Sequence, residues 1–320
     1  MNGKVRETTV GKRRPGRLSG VILVLLSLAL AFVLKGHRFI PNWGFSLGSL
    51  VETFLPWFGL AVPLLVVWAA IRRSILSLIA VAIPAVVWGL MFVPLLPDKS
   101  EGPGDLRIVS HNVEADNPEP SRTAQDLKDT DADILAVVEV TPDDLMYYDQ
   151  ELSAEYPFRV EFGTVSLWSK YELSDGYPVD LGLGWTRAFR VTVQVENNPV
   201  AVYVAHMPSV RVNTTEGFTI EQRDVAARRL GTAISNENLD RVILAGDLNG
   251  TMQDRALAPI TYQLRSAHAE AGKGFGFTWP SSLPAARIDQ ILYRGLHPTE
   301  SIVGDRTGSD HLPVQVDFRL

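Results

Sequence analysis

Cysteine is absent from this chain of 320 residues. Its absence excludes disulfide bonds, thiolate metal sites and a cysteine nucleophile. It also suits an oxidising compartment, although it does not by itself establish one.

Positive charge is scarce in the C-terminal two thirds of the chain. Residues 101–320 contain 19 lysines and arginines against 33 aspartates and glutamates, a net charge of −14. Non-specific nucleic-acid binding depends on basic side chains that displace counterions from phosphates. A region with this charge repels a phosphate backbone over most of its surface, and a bound cation would reverse that field only locally.

Long apolar runs are missing from residues 101–320 and concentrated in residues 1–100. The runs are Leu18–Leu34, Ser46–Ile71 and Ile75–Leu96. Each is near the ~20 residues that a helix needs to cross the hydrocarbon core. We therefore predict a basic tail over residues 1–17, a membrane domain with three transmembrane helices over residues 18–100, and a further domain over residues 101–320.

The first run also has the basic front and short apolar core of a signal peptide. No small-x-small cleavage site follows it and two further runs do, so we favour three retained helices. Glu52 falls near the start of the second run, where an interfacial position costs less than a central one.

The distribution of positive charge predicts the orientation in the membrane. The N-terminal tail and the Arg72-Arg73 turn together hold eight lysines and arginines, against three on the opposite side of the spans. The positive-inside rule then places the N-terminus in the cytoplasm and, after three crossings, residues 101–320 outside the cytoplasmic membrane. There the domain would meet components of the cell envelope, held close to the bilayer by the short Pro97–Gly104 linker.

Residues 101–320 combine short strands, two helical segments and hairpin signals such as Asn197-Asn198-Pro199. The predicted strands are Leu106–Asn112, Ala132–Val140, Thr164–Ser169, Phe189–Val195, Val200–His206, Arg241–Ala245, Ile288–Tyr293 and Val314–Leu320. Helices are predicted over Pro120–Thr130 and Thr219–Asn236, and a long loop over Lys170–Arg187. This pattern favours a layered α/β sandwich over a strictly alternating parallel sheet.

Polar side chains recur where these strands end or begin. They are Asn112, Glu139, His206, Asp247, Asn249, Asp289, Asp310 and His311. In Gly246-Asp247-Leu248-Asn249, a carboxylate and a carboxamide follow a buried strand, and the glycine permits a bend. Any one of these residues could be an ordinary turn or surface residue. Their recurrence favours a shared site.

The oxygen-rich set predicts a hard cation and a phosphoryl substrate. Carboxylates such as Glu139 and Asp310 suit Mg²⁺ or Mn²⁺ better than zinc. The metal would neutralise charge that develops on a phosphoryl oxygen. Asp247 is the candidate base for an attacking water, and Asn249 and Asn112 are neutral donors that fix its geometry.

Two histidines complete the predicted site. His311 beside Asp289 makes a carboxylate–imidazole pair, an arrangement that holds one tautomer and stabilises a cation. His206 is a further donor or acid for the phosphate.

These residues and their flanking segments resemble the endonuclease/exonuclease/phosphatase superfamily. The resemblance covers nearly all of residues 105–320. Its segments are Asn112, Glu139, Ala205-His206, Gly246-Asp247-Leu248-Asn249, Arg287-Ile288-Asp289-Gln290-Ile291-Leu292 and Ser309-Asp310-His311-Leu312-Pro313-Val314. It implies a DNase-like, four-layered α/β sandwich and phosphoester hydrolysis that depends on Mg²⁺ or Mn²⁺ and proceeds by in-line attack of water.

The same resemblance implies a role for each residue. Glu139 would be the principal metal ligand, Asp310 a second ligand, and Asp247 the group that orients or deprotonates water. Asn249 and His206 would stabilise the pentacovalent phosphorus.

Other positions are less defined by the resemblance. Asp289 would orient His311. Glu114 stands where some members carry an aspartate, which puts a second metal position in doubt. Arg287 would either meet the substrate phosphate or pair with a carboxylate near the site.

The superfamily does not determine the substrate. Three apolar runs before the domain resemble the layout of VanJ-like teicoplanin-resistance membrane proteins of actinobacteria. That resemblance implies an antibiotic-resistance role and a lipid-linked substrate of the cell-wall carrier cycle, such as undecaprenyl pyrophosphate. The loop Lys170–Arg187 could face the bilayer and bind an acyl or prenyl chain through Trp185, or could cover the core of its own domain.

Two other functions remain open from the sequence. One is an extracytoplasmic nuclease or phosphodiesterase with the same chemistry, although the net charge of −14 argues against a nuclease of long polyanions. The other is a non-catalytic envelope binding protein that retains the fold. Loss of a metal-binding or water-activating residue would indicate the latter, and none of these residues is lost.

Overall fold

The computed structural model describes residues 15–42, 47–209 and 219–320. Most of the predicted basic tail lies outside these residues. In the described part, helices α1 to α9 are Pro15–Gly36, Leu47–Thr53, Ala61–Arg72, Ile75–Phe92, Pro120–Lys128, Leu145–Leu152, Thr219–Ser235, Ala258–Thr261 and Ala267–Ala271. Strands β1 to β12 are Leu106–Asn112, Ile134–Val138, Phe158–Phe162, Val165–Ser169, Leu173–Pro178, Ala188–Val195, Asn198–Ala205, Val242–Asp247, Arg265–Ser266, Asp289–Arg294, His297–Val303 and Val314–Arg319.

The described part of the chain forms two compact units, one made of residues 15–36 and 56–91 and the other of residues 37–42, 47–55, 92–209 and 219–320. In the first unit, the Arg72 guanidinium at the end of α3 contacts the Ser19 hydroxyl near the start of α1, so these helices run antiparallel. The spans long and apolar enough to cross a membrane are Leu18–Phe39, Leu55–Arg72 and Ile75–Leu95. Many of their large apolar side chains are exposed, as a surface facing lipid requires.

The second span is shorter than the sequence predicted. Its apolar run was expected to begin at Ser46, but the membrane-length helical segment begins at Leu55, and residues 37–55 belong to the second unit. The cause is Glu52, whose carboxylate is fully buried and accepts from the Arg255 Nε–H at 2.9 Å. A buried carboxylate needs a charged partner, which hydrocarbon would not supply. The predicted membrane domain of residues 18–100 therefore contains a segment that packs with residues of the C-terminal domain.

The second unit is a four-layered α/β sandwich, as predicted. One sheet has the order β11-β12-β1-β2-β4-β3 and the other the order β5-β6-β7-β8-β10-β9. An apolar core rich in valine and isoleucine fills the space between the sheets. A second core packs α5 and α6 on the outer face of the first sheet, and a third packs α7 and α8 on the outer face of the second. These three cores give the helix–sheet–sheet–helix order.

The register of the strands brings the predicted site residues to one end of both sheets. Strands β1 and β2 are parallel, and Asn112 pairs with Val138, so Glu139 follows at the same end. Strands β7 and β8 are also parallel, with Val204 opposite Ala245, which aligns His206 with Asp247. Strand β10 is antiparallel to β8. Its first residue, Asp289, stands directly opposite Asp247.

Eight strands were predicted, and all eight lie in the interior of the sheets. The strands that the prediction lacked are β3, β5, β9 and β11, and each is the edge strand of its sheet. Residues Leu173–Pro178 fall inside the segment predicted as a long loop, but they form β5. Strand β5 is almost wholly exposed and β3 largely so, hence neither carries a strong burial pattern. Pairing with a neighbouring strand, rather than local sequence, defines these edges.

Candidate active site

A cavity of about 550 Å³ lies where the strand ends converge. Six of the predicted site residues line it: Glu139, His206, Asp247, Asn249, Asp310 and His311. Asn112 and Asp289 stand behind this lining, hydrogen-bonded to residues that form it. The eight strand-end residues therefore converge on one place.

Asn112 joins two carboxylates of the cavity. Its Nδ2 donates to Glu139 Oε1 and to Asp247 Oδ2, both at 3.1 Å. Its Oδ1 accepts from the Glu114 backbone N–H at 3.0 Å. The second oxygen of Glu139 accepts from the Ala115 N–H at 3.1 Å. One buried carboxamide thus fixes the orientation of both acids, which would otherwise repel each other.

The backbone is constrained at the same positions. Glu114, Glu139 and Asn249 have φ values of 63°, 66° and 46°, in the left-handed region that residues other than glycine seldom adopt. Such conformations cost of order 1–3 kcal/mol each and cluster at functional sites. Gly246 has a φ of 142°, and a Cβ there would lie 2.0 Å from the Ala205 carbonyl oxygen. Only glycine therefore fits at position 246, directly before Asp247.

Asp247 is almost completely buried. Burial, together with the charge of Asp289 opposite, raises its pKa to about 7, against the opposing effects of His311 and of hydrogen bonds from Asn249 and Asn112. The Asn249 N–H donates to Asp247 Oδ1 at 2.8 Å, and the Asn249 amide donates to Oδ2 at 3.1 Å. The carboxylate is therefore more basic than a surface aspartate and held in one orientation.

His311 forms the predicted pair with Asp289. Its Nδ1 lies 2.9 Å from Asp289 Oδ2, and the same oxygen accepts from the Thr278 hydroxyl at 2.6 Å. Burial lowers the pKa of His311, but the charge and hydrogen bond of Asp289, followed by the charges of Asp247 and Asp310, outweigh it and raise that pKa to about 10. The imidazole is cationic at neutral pH, and its Nε2 lies 4.0 Å from Asp247 Oδ2.

His206 has the opposite character. Burial, then the charges of Arg187 and His311, lower its pKa well below the usual value. Its Nε2 lies 3.3 Å from Glu139 Oε1 and 3.8 Å from Asp247 Oδ2, and the Arg187 guanidinium contacts its ring. The site therefore contains one neutral and one protonated imidazole on either side of Asp247.

Asp310 and Glu114 form the more open side of the cavity. The Asp310 carboxylate is half exposed and accepts from the Trp279 indole N–H at 3.1 Å. The Asp310 backbone N–H donates to Glu114 Oε2 at 3.0 Å. Glu114, whose role the sequence left open, thus lines the site and ties the loop after β1 to the loop before β12.

The donor set of the cavity fits a hard divalent cation. Four carboxylates, Glu114, Glu139, Asp247 and Asp310, line it against one arginine and two histidines, so negative charge is in excess. By proximity, Asp247, Asp289 and His311 could also hold a metal. The last two already neutralise each other through their hydrogen bond, however, whereas Glu139 and Asp310 are more exposed. Their oxygen chemistry suits Mg²⁺ or Mn²⁺.

Two residues predicted to bind substrate do not line the cavity. The Arg287 guanidinium is buried, which lowers its pKa to about 10, and its Nη1 has no hydrogen-bond partner among the described residues. Arg287 does not line the cavity, and among the described residues no carboxylate lies within hydrogen-bond distance of its guanidinium. Trp185 is half exposed and stacks against Arg187, with 4.9 Å from the guanidinium carbon to the ring centroid.

Sequence reasoning missed several residues of the cavity. Arg187 and Trp279 line it, and so do Leu50 and Phe54 from the short segment between the first two spans. Arg187 gives a recognisable signal, because a basic residue directly precedes β6, the strand that pairs with β7. Leu50 and Phe54 give none, since they lie within an apolar run that precedes the predicted domain of residues 101–320.

The family was identified by comparison with known proteins. The model of the Endonuclease/Exonuclease/phosphatase family matches residues 109–311, more than half of the chain. The chain therefore belongs to this family. Its members are typically hydrolases that act on phosphoesters and use divalent metals.

Solved structures show the same fold. A humanized TDP2 of D. rerio aligns over 67% of this chain and 99% of its own, with 18% identity and a TM-score of 0.57. An endonuclease/exonuclease/phosphatase from Bacteroides vulgatus aligns over 67% and 98%, with 18% identity and a TM-score of 0.58. Sphingomyelinase C from Streptomyces griseocarneus aligns over 66% and 98%, with 17% identity and a TM-score of 0.54. No curated protein sequence matches significantly.

Proposed function

We propose that this protein is a membrane-anchored phosphohydrolase that depends on Mg²⁺ or Mn²⁺ and cleaves a lipid-linked phosphate. The substrate would be a phosphoester or pyrophosphate such as undecaprenyl pyrophosphate, met at the outer face of the cytoplasmic membrane. One observation carries the proposal: a cavity with this complement of carboxylates and imidazoles occurs in a chain that also has three membrane-length apolar helices.

The buried residues supply the groups that hydrolysis requires. A water that attacks the terminal phosphorus forms a new P–O bond while the bond to the leaving phosphate breaks. Asp247 accepts the proton of that water, and the hydrogen bonds from Asn112 and Asn249 aim its carboxylate. A general base in this position commonly contributes ~10²–10⁴ in rate.

The imidazoles complete the charge arrangement. Cationic His311, held by Asp289, stabilises negative charge on the transferring phosphoryl group, and neutral His206 donates a hydrogen bond to it. Glu139 and Asp310, with Glu114 beside them, would hold the divalent cation. The cation, when bound, neutralises phosphoryl oxygens and lowers the charge repulsion that this acidic cavity would otherwise present.

A parallel assay tests the choice of substrate. Purified full-length protein with Mg²⁺ or Mn²⁺ is offered undecaprenyl pyrophosphate and plasmid DNA, with Asp247→Asn as the inactive control. We expect phosphate release from the lipid and little cleavage of DNA. Rapid DNA cleavage without phosphate release would instead favour the nuclease alternative. Hydrolysis of neither, with unchanged folding, would favour a non-catalytic binding protein.

The orientation is part of the proposal and has its own test. Protease is added to intact protoplasts that express the full chain, and fragments are detected with antibodies to residues 101–320. We expect digestion of this region, because the positive-inside rule places it outside. Full protection would reverse the orientation.

A further inference from the structure

Helix α2, Leu47–Thr53, presents two different faces. Leu50, Thr53 and Phe54 fall at positions i, i+3 and i+4, on one side of a helical turn that the Phe54 N–H extends by donating to the Leu50 carbonyl at 3.2 Å. All three line the catalytic cavity. Ser49 and Glu52, in contrast, are completely buried.

The buried side fixes the helix to the domain. The Arg255 Nε–H donates to Glu52 Oε1 at 2.9 Å, and the Thr251 hydroxyl donates to the Glu52 carbonyl at 3.2 Å. Ser49 Oγ accepts from Arg223 Nη2 at 3.0 Å. Arg223 also donates to the carbonyl of Asn249, in the catalytic loop, at 3.3 Å. The wall of the cavity and the loop that holds Asp247 are therefore parts of one hydrogen-bonded structure.

The cavity side is apolar and open. Leu50 is 44% exposed, so its side chain is open to a molecule in the cavity. The Thr53 hydroxyl donates back to the Ser49 carbonyl at 2.9 Å, so its hydrogen-bonding need is met within the helix. Ile288 and Trp279 add further apolar surface to the same cavity. The same cavity is therefore lined by carboxylates and histidines on one side and, on the other, by an apolar wall formed by Leu50 and Phe54.

We infer that Leu50 and Phe54 bind the apolar chain of the substrate, next to the phosphate, which the histidines and a cation on the carboxylates would hold. This deepens the proposed function and rests on it. The occupant follows from continuity: a molecule that fills both parts must join a phosphate directly to an apolar chain. In sequence, α2 also stands between two helices of membrane length, Leu18–Phe39 and Leu55–Arg72, and a substrate with an apolar chain would come from a bilayer.

The test compares two substrates with the same head group. Full-length protein in detergent with Mg²⁺ is assayed for phosphate release from farnesyl pyrophosphate and from ethyl pyrophosphate. We expect Leu50→Asn and Phe54→Asn each to lower kcat/KM for the farnesyl substrate about 10-fold, which corresponds to about 1.4 kcal/mol. The ethyl substrate should change less than ~2-fold, because it has too little apolar surface to contact the wall.

Leu47→Asn is the matched control, since Leu47 is exposed on the same helix but does not line the cavity. It should leave both substrates unchanged. Equal losses for both substrates in Leu50→Asn, or no preference for the longer chain in the wild type, would overturn the inference and leave the proposed function standing. Because Leu50 is exposed, its replacement should not alter thermal unfolding, and this is measured alongside.

A binding measurement separates the two proposals. Calorimetry with the methylenebisphosphonate analogue of farnesyl pyrophosphate, whose P–C–P bridge water cannot cleave, reports on the binding of the apolar chain even if no phosphate is released from either substrate. Tight binding to the wild type that Leu50→Asn weakens about 10-fold would support the wall, although the proposed hydrolysis had failed. Equal binding by both proteins would reject it.

Discussion

Two clusters of buried charge lie near the end of strand β8, and they are built in opposite ways. One surrounds Asp247, the last residue of β8, and the other surrounds Glu52, which lies close to Asp254 and Arg255 in the loop that follows. Around Asp247, acids face one another: Asp289 stands opposite it across the strand pair, and Asn112 joins it to Glu139. Around Glu52, each acid meets an arginine. Glu52 pairs with Arg255 at 2.9 Å, and Asp254 pairs with Arg223 at 2.8 Å.

This difference in charge balance distinguishes a cluster that holds the fold together from a cluster that can bind a ligand. Buried charges that are matched in pairs hold chain segments together, and removing one partner leaves the other charge buried without compensation. Buried charge of one sign in excess costs stability and persists where a cation or substrate completes it. The Glu52 cluster therefore anchors α2, and the Asp247 cluster is the proposed reactive site.

Asp247→Asn should give the largest effect and tests the reactive cluster. Loss of the base should lower hydrolysis by ~10²–10⁴-fold. The amide removes repulsion with Asp289, so thermal unfolding should occur at the same temperature or higher. Phosphate release and calorimetry measure the two effects, with the exposed Asp143→Asn as the matched control. Retained activity would remove Asp247 from the mechanism.

Arg255→Met tests the anchoring cluster. It leaves the Glu52 carboxylate buried without its arginine, which should cost about 3–5 kcal/mol and lower the unfolding temperature by roughly 6–20 °C. Replacing Glu52 by Gln in the same chain should recover much of the loss. The exposed Arg38→Met serves as control. If Arg255→Met unfolds like the wild type in detergent, the pair does not anchor α2.

Asn112→Leu probes the junction between the two acids of the reactive cluster. Leucine has a similar shape but cannot donate to Glu139 or Asp247, so the carboxylates lose their common orientation. We expect ~10–100-fold lower activity and a higher Mg²⁺ concentration for half-maximal rate. A metal titration of activity measures both. An unchanged metal requirement would show that Glu139 does not bind the cation.

Arg287→Met should have the smallest effect. The guanidinium lies outside the cavity, so kcat/KM should change less than ~3-fold. Removing a buried cation with an unpartnered Nη1 should not lower the unfolding temperature. A loss of activity above ~10-fold at unchanged stability would return Arg287 to the substrate site, as the sequence first suggested.

The interior strands of the fold and most residues of the candidate site can be predicted from the sequence. Interior strands are buried on both faces, so their apolar runs identify them locally, and the polar residue at each end stands out against the run. That is why Glu139 after β2 and Asp247 at the end of β8 could be named in advance. The glycine before Asp247 carried its own signal, since only glycine fits beside the Ala205 carbonyl.

What escaped prediction depends on contacts between distant residues. Edge strands such as β3 and β5 form because a neighbouring strand is available to pair with them. Their side chains are largely exposed, so their sequences show no burial pattern that predicts the pairing. Glu52 looked like an interfacial residue of a membrane helix until Arg255, two hundred positions later, was seen to pair with it. Phe54 lines the cavity for the same reason.

Sequence alone thus determined the family, the presence of three apolar spans and the interior strands, because each depends on local patterns of burial and charge. Tertiary structure decided which imidazole is cationic, where the sheets end, and that the segment between the first two spans forms a wall of the cavity. Those properties arise from the distances between groups far apart in the chain. Only folding sets such distances.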